Sequence, residues 1–479
     1  MIKKISNKKN ISVIITTLLV GFIVHVPLIS KTIITSDVLI NSHYYNSYVG
    51  ELAMGRFGLW IMGVFKSFLV FPEISLLFSL ILIAILNIMI IDFFDIKSKF
   101  YKILLSMLIV INPITSAILL SSHYSIAIIL SMLLAFYAFY NICRNKSKYR
   151  YIGSGLLLFI VYTLYQPSIS IFLSLIVLYA IKQILNKKIK YRELLFNFLT
   201  FVIPSLIYVG IVTLLSLVIK TDPVVLLHTS NLLDLGKNFI RCYVNFFNYF
   251  IGNSIVKNTY LYTYVINIIL FIIMILGIIK SSIKAKLSVK NLIIMIILIL
   301  AIPLVFNASL LYSSEINFTL LLSMSYLLFI PFIISLDNYN YSFIFIVLCM
   351  LLLFRNYIIQ DRATYYTLEN TYNKTYAMLS DLYTKNTKHR PIMITGKLAS
   401  NKTISNITRL NYGFVANEEL IKDNYQDRST GITKFYNYYL GIDAKYVSEK
   451  KYNKILKSNE YKKMKKYKVI EDTFVVKLK

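Results

Sequence analysis

Apolar runs long enough to cross a membrane recur along most of this chain, and short polar gaps separate them. A helix needs about 20 apolar residues to cross the hydrocarbon core, and on that basis the pattern predicts about eleven spans. The predicted spans are Ile11–Ile29, Ile74–Ile91, Ile103–Leu120, Tyr124–Ile142, Ile152–Tyr165, Ser168–Ile181, Leu194–Ile219, Tyr260–Ile279, Asn291–Leu311, Phe318–Ser335 and Tyr341–Ile359. The expected fold class is therefore an α-helical polytopic membrane protein.

The first long interruption of this pattern is a polar stretch from Lys31 to Arg56. Its side chains of chemical interest are Asp37, His43, Tyr44, Glu51 and Arg56. The apolar run that follows, Phe57–Phe71, is short for a crossing and predicts an interfacial or re-entrant helix. Because ionisable groups are costly near lipid and usually have a function there, we take this first loop, residues 30–73, as the candidate active site.

The end of the chain has a different pattern, because the apolar runs stop at about residue 360. Ala363–Leu382 has the periodicity of an amphipathic helix, and Pro391–Thr395 reads as a short buried strand. Tyr467–Leu478 predicts two strands joined around Glu471 and Asp472. We therefore expect two domains, a multi-span domain over residues 1–359 and a small α/β domain over residues 360–479.

Composition agrees with this division and adds an orientation. Hydrophobic residues make up 57% of the chain, charged residues 15%, and the mean hydropathy is +0.65, which excludes a soluble protein. The net charge is +29, but the lysines gather in alternate gaps, so the positive-inside rule explains them without a nucleic-acid partner. That rule places the N-terminus in the cytoplasm, the first loop outside, and, with an odd number of spans, the C-terminal domain outside as well.

Asp37 and Arg56 are the residues with the most specific chemical interpretation. A carboxylate at a partly dry membrane edge can act as a general base toward an acceptor hydroxyl. An always-charged, planar guanidinium at headgroup depth suits a lipid phosphate. The structural alternatives stay open, because Asp37 could simply cap a helix and Arg56 could be an interfacial anchor.

Further polar and aromatic residues fall at the same predicted outer edge. His123, Tyr124, Gln166 and Glu315 are candidate substrate contacts, and each also has an ordinary role as an interface or loop residue. The three cysteines show no metal-ligand spacing, and we find no phosphate-binding glycine loop and no Asp-x-Asp pair. We therefore expect no cofactor, with a divalent metal left open, and a nucleotide-sugar mechanism is disfavoured.

The order of several short motifs resembles a known family, the bacterial O-antigen-modifying type II glucosyltransferases of the polyprenol-dependent GT-C superfamily. The motifs are Ser36-Asp37, Gly55-Arg56-Phe57, Pro113, His123-Tyr124, Tyr165-Gln166 and the Val-Val-Lys-Leu sequence at Val475 to Leu478. The chain departs from the family pattern in two places: Val38 follows Asp37 where a second acid is common, and Glu315 stands where an arginine is expected.

This resemblance implies a function on the outer face of a bacterial plasma membrane. Such enzymes transfer a hexose, usually glucose, from a polyprenyl phosphate to a cell-surface glycan, with inversion at the anomeric carbon. The resemblance implies that Asp37 is the base and that Arg56 contacts the donor phosphate. It also implies upstream partners, a lipid-sugar synthase and a flippase.

Two other classes of membrane protein stay open from the sequence. A polysaccharide flippase or other transporter would need polar residues along a path through the bilayer, and the spans show no clear mid-membrane charge. A polysaccharide polymerase would be favoured by an arginine-rich outer loop, whereas residues 220–259 contain one arginine, Arg241.

Overall fold

The structure, a computed structural model, is mostly helical. It describes residues 8–26, 55–65, 71–219, 232–251, 261–311, 328–336, 340–396 and 425–478, together with the single residues Leu28, Leu39 and Leu52. The helices before the C-terminal sheet are α1 Lys8–His25, α2 Phe57–Phe65, α3 Pro72–Phe93, α4 Lys99–Ile111, α5 Pro113–Leu120, α6 Ser125–Arg144, α7 Arg150–Tyr165, α8 Ile169–Leu185, α9 Tyr191–Ile219, α10 Leu232–Ile251, α11 Leu261–Ala285, α12 Val289–Phe306, α13 Phe329–Ser335 and α14 Asn340–Lys385.

The membrane class expected from the sequence is confirmed by the length and composition of these helices. Within the described residues, six helical segments are long and apolar enough to cross a bilayer, or seven if the bent pair α4 and α5 forms one span. The six are Pro72–Phe93, Ser125–Arg144, Arg150–Leu185, Tyr191–Leu215, Val265–Ala285 and Val289–Phe306. The larger number of about eleven crossings stays a prediction, in part because residues 312–327 lie outside the described ranges.

The central and peripheral spans differ in how much of their surface faces protein. In the segment formed by α7 and α8, 83% of the most apolar window is buried, against 22% in α9 and 22% in α12. Aromatic side chains fill the centre, where Phe93 packs edge-on against Phe136 and Phe139 at ring-centroid distances of 5.8 and 5.7 Å. The exposed leucines and isoleucines of α9 and α12 are therefore the surface that suits lipid.

A proline divides the predicted span Ile103–Leu120 into α4 and α5, which meet at an angle of 47°. The residue before a proline is pushed out of the helical region, and Asn112 has φ −54° and ψ 135°. Its side chain accepts a hydrogen bond from the amide of Ile114 at 3.0 Å, so that amide does not bond to Val110 as in a continuous helix. The Val110 carbonyl is thereby available to a side chain from another element.

The last long helix, α14, has 46 residues, or about 69 Å at 1.5 Å per residue. It continues into a small sheet of β1 Ile392–Thr395, β2 Tyr467–Ile470 and β3 Thr473–Lys477, in the order β1-β3-β2. Strand β3 pairs parallel with β1 and antiparallel with β2. Between β1 and β2 lie α15 Tyr425–Leu440, α16 Glu449–Lys457 and α17 Asn459–Lys463.

The predicted strands are confirmed, including the turn at Glu471 and Asp472. Both residues have positive φ, 45° and 54°, as a two-residue hairpin turn requires. The predicted helix Ala363–Leu382 is also present, but it is part of the C-terminal half of α14 and does not begin a separate element. The sequence suggested a break because polar residues replace the apolar run, whereas the backbone continues as one helix.

Candidate active site

Arg56 lies at the start of α2, directly after a glycine that the backbone requires. Gly55 has φ +73°, and a Cβ atom there would lie 2.5 Å from the hydroxyl of Tyr208, so a larger residue would be strained and would clash. The turn sends the partly buried Arg56 side chain toward the end of α7. There its Nε donates a hydrogen bond to Oε1 of Gln166 at 3.2 Å, and its guanidinium carbon lies 5.2 Å from the centre of the Tyr165 ring.

Gln166 is placed by a break between α7 and α8. Tyr165 is extended, with φ −158° and ψ 98°, and Gln166–Ser168 forms one turn of 3₁₀ helix that contains Pro167. Proline cannot continue the hydrogen bonding of α7, which explains why that helix ends here. The end of α7 at a Tyr-Gln-Pro turn is as predicted from the sequence, and it brings the amide of Gln166 to Arg56 across 110 residues of chain.

Tyr208 of α9 completes this group, and sequence reasoning missed it. Its hydroxyl accepts a hydrogen bond from Nε2 of Gln166 at 2.8 Å and donates one to the carbonyl of Gly55 at 3.3 Å. Its ring stacks on Tyr162 with the centroids 5.1 Å apart. One tyrosine inside an apolar span, in a chain with 38 tyrosines, carries no signal that would distinguish it.

A second glycine holds α2 against α7 beside this group. A Cβ atom at Gly58 would lie 2.4 Å from Oγ1 of Thr163 and 3.0 Å from its backbone. The two helices can therefore approach closely only because residue 58 has no side chain. Arg56, two residues before Gly58, takes its position from this contact as well as from Gln166.

Tyr124 and His123 lie in the turn between α5 and α6. Tyr124 packs in the same apolar cluster as Leu59 of α2, which brings this turn next to the helix that follows Arg56. His123 is 4% exposed, and its ring contacts that of Tyr124 with the centroids 3.5 Å apart. The structure thus brings Arg56, Gln166 and Tyr124 into one region, and His123 contacts Tyr124.

The remaining predicted site residues, Asp37, His43, Tyr44, Glu51 and Glu315, lie outside the described residues. Their roles stay predictions. Among the residues that the structure describes, no three histidine, cysteine or acidic side chains come together as metal ligands would.

A buried polar cluster at the C-terminal end of α1 was not expected. Asp361 of α14 is 2% exposed and lies just past the predicted span Tyr341–Ile359. Burial raises the pKa of its carboxyl group, and the nearby His25, Ser116 and Arg362 oppose that shift only in part. Within the described part of the chain, neither carboxylate oxygen makes a hydrogen bond of ordinary geometry. Sequence alone gave no indication of this cluster, because His25 and Asp361 are 336 positions apart.

The fold and this region define a class: a multi-span membrane protein with an arginine at a helix end that an amide and an aromatic ring orient, an arrangement that suits an anionic group. Comparison with family models matches residues 28–336 to the family described as "Glucosyl transferase GtrII". The chain belongs to this family of membrane glucosyltransferases. No curated protein and no solved structure matched it.

Proposed function

We propose that this protein transfers a glucose residue from a polyprenyl phosphate to a cell-surface glycan on the outer face of a bacterial plasma membrane. The observation that carries this proposal is the geometry of Arg56. Its hydrogen bond to the Gln166 amide and its position over the Tyr165 ring orient the guanidinium. A fixed positive charge is what a departing phosphate needs, because negative charge develops on it in the transition state.

In the proposed reaction Asp37 takes the proton of an acceptor hydroxyl. The hydroxyl oxygen attacks the anomeric carbon from the face opposite the phosphate, and a new glycosidic bond forms. The bond between the anomeric carbon and the phosphate oxygen breaks, and the electron pair leaves with the phosphate. Arg56 stabilises that charge, and attack from the opposite face inverts the anomeric configuration.

The other predicted site residues would bind the two substrates. Tyr124 is an aromatic surface for a sugar ring, and the remaining candidates are His43, Tyr44, Glu51, His123, Gln166 and Glu315. Gln166 also holds Arg56. The donor must be made and moved to the outer leaflet first, so the proposal includes a lipid-sugar synthase and a flippase upstream.

The proposed orientation has about eleven spans, a cytoplasmic N-terminus, and the first outer loop and C-terminal domain outside. One contact supports placing these last two on the same side. Leu39, from the first outer loop, is buried in the apolar core of the C-terminal domain.

The test uses membranes containing the full-length protein, a polyprenyl-phosphate glucose with labelled sugar, and an acceptor glycan. We expect label in the glycan with the wild-type protein and none above background with Asp37→Asn at equal expression. Asp95→Asn is the matched control, because Asp95 is exposed near the predicted cytoplasmic side and has a positive φ that asparagine accepts. Full activity in Asp37→Asn would disprove its role as base, and labelled lipid crossing the membrane without glycan product would favour a flippase.

A further inference from the structure

A cavity at the ends of three helices is lined by basic and hydroxyl side chains that the proposed transfer reaction does not use. It has a volume of about 490 Å³ and lies where α8, α11 and α13 end. The polar residues that line it are Lys182, Lys187, Lys284, Asn186, Ser281 and Ser335. Among the described residues of this lining none is acidic, so the cavity is surrounded by positive charge.

The three lysines of this cavity are not neutralised by carboxylates. Within the part of the chain that the structure describes, none of them forms an ion pair. Asp95 and Arg144 both lie near enough to influence Lys182, and their charges act on it in opposite directions. The carboxylate of Asp95 is mostly exposed and lies 3.9 Å from Nζ of a different lysine, Lys97. The lysine charges around the cavity are therefore available to an anion.

Part of this positive charge offsets the helix ends themselves. The carbonyl end of a helix carries a partial charge of about −0.5, so three ends contribute at most about −1.5 against +3 from the lysines. Backbone amides also satisfy these carbonyls: those of Lys187 and Lys188 donate to the last turn of α8 with N···O distances of 2.9 and 2.8 Å. The amides of Lys286 and Leu336 do the same at the ends of α11 and α13. A net positive charge thus remains for a ligand.

A second cavity with lysines in its lining differs in its acidic residues. It has a volume of about 720 Å³ and is lined by Lys97, Lys99 and Lys102, but also by Asp92 and Asp95. The positive-inside rule explains why lysines gather at one end of the spans. It does not explain why carboxylates accompany them in this cavity and not in the one between α8, α11 and α13, which points to a ligand for the latter.

We propose that the cavity between α8, α11 and α13 binds a phosphate group. Ammonium, hydroxyl and amide groups are the donors from which phosphate oxygens accept hydrogen bonds. The candidate spans Arg150–Leu185 and Val265–Ala285 end at the cavity, which places it at the depth of lipid headgroups. Ile283, next to Lys284, is 72% exposed and offers apolar surface to an acyl chain. An anionic phospholipid is therefore the source of phosphate that we expect, and a free phosphate compound is the other.

Titration of the full-length protein in detergent with phosphatidylglycerol tests this proposal. A ligand of the folded state raises the unfolding temperature, so we expect a rise with phosphatidylglycerol and little change with phosphatidylcholine, whose headgroup has no net charge. A variant with Lys182→Gln, Lys187→Gln and Lys284→Gln should bind phosphatidylglycerol at least about tenfold more weakly. Inorganic phosphate tests the other source. A rise with phosphate that the same variant loses would support the site and assign it a soluble ligand.

The matched control combines Lys97→Gln, Lys99→Gln and Lys102→Gln, because it removes the same charge from the cavity that contains acids, and it should keep the wild-type affinity. Lys187→Gly separates binding from folding. Lys187 has φ 54°, where glycine is less strained, so this variant should unfold no earlier without lipid and still bind more weakly. Equal affinities of the wild type and the cavity variant, or equal losses in both triple variants, would overturn the proposal. So would an equal rise with phosphatidylcholine, or no rise with any of the three compounds.

Discussion

His25 and Tyr365 lie 340 positions apart, and Nδ1 of the histidine is 2.9 Å from the tyrosine hydroxyl. Nε2 of the same ring lies 3.1 Å from the carbonyl of Val110, which became available where Pro113 divides α4 from α5. Because a carbonyl can only accept, Nε2 carries a proton in this arrangement. One imidazole therefore connects the C-terminal end of α1, the α4–α5 break and α14.

The buried acid in this cluster gives a prediction on stability. Burial raises the pKa of Asp361, so the folded protein favours the protonated form. Its contribution to stability is therefore greatest at acidic pH and is lost as pH rises through the folded pKa. Asp361→Asn keeps the shape without the charge, and we expect it to raise the unfolding temperature at pH 7. That gain should shrink as pH falls toward 3.8, the ordinary carboxyl value.

Thermal unfolding of both proteins in detergent, from pH 5 to pH 8 in steps of about one pH unit, measures the difference between their unfolding temperatures. Asp443→Asn is the control, because Asp443 is exposed and the same change should leave the unfolding temperature unaltered at every pH. A lower unfolding temperature for Asp361→Asn at pH 7 would contradict the prediction and would show that the ionised carboxylate is stabilised by His25 and Arg362.

Arg56→Lys tests whether the site needs a guanidinium or only a positive charge. Lysine cannot reproduce the planar fork that Nε of Arg56 anchors on Gln166. We expect glucose transfer to fall by at least about tenfold, the effect of one lost charge-assisted contact. Transfer rates at equal expression measure this, with Arg192→Lys as control because Arg192 is exposed beside Phe196 at the start of α9. A wild-type transfer rate in Arg56→Lys would contradict the proposal that the guanidinium of Arg56 binds the donor phosphate.

Removing the hydroxyl of Tyr208 tests whether Tyr208 helps to position Gln166 and, through it, Arg56. Tyr208→Phe keeps the stacked ring but leaves Nε2 of Gln166 and the Gly55 carbonyl without this partner. Such a loss costs about 1–3 kcal/mol, so we expect a lower unfolding temperature and slower transfer. Tyr191→Phe is a matched control on the same helix, since it removes a hydroxyl that bonds Asn291 at 2.7 Å in an exposed position. Equal effects of the two changes would contradict a special role for Tyr208.

Features encoded in short segments could be predicted from the sequence, and features made by distant residues could not. The Tyr165-Gln166-Pro167 turn and the hairpin at Glu471 and Asp472 follow from local backbone preferences, and both are present. Arg56 and Gln166 were singled out separately, but their hydrogen bond depends on packing across 110 residues. The roles of Tyr208 and Asp361 could not be predicted from the sequence. Each lies in a segment with an ordinary pattern and meets its neighbours only through packing between distant parts of the chain.

Gly58→Ala tests the close contact between α2 and α7. The added Cβ atom would lie 2.4 Å from Oγ1 of Thr163 and 3.0 Å from its backbone, so the helices must move apart. Overpacking of this kind costs about 1–3 kcal/mol, and it shifts Arg56 relative to Gln166. We expect both the unfolding temperature and the transfer rate to fall. Gly210→Ala is the matched control, because no atom lies within 4 Å of its added Cβ, and alanine stabilises a helix by about 0.5–1 kcal/mol over glycine. If Gly58→Ala behaves like Gly210→Ala, the two helices do not pack as closely as the structure shows.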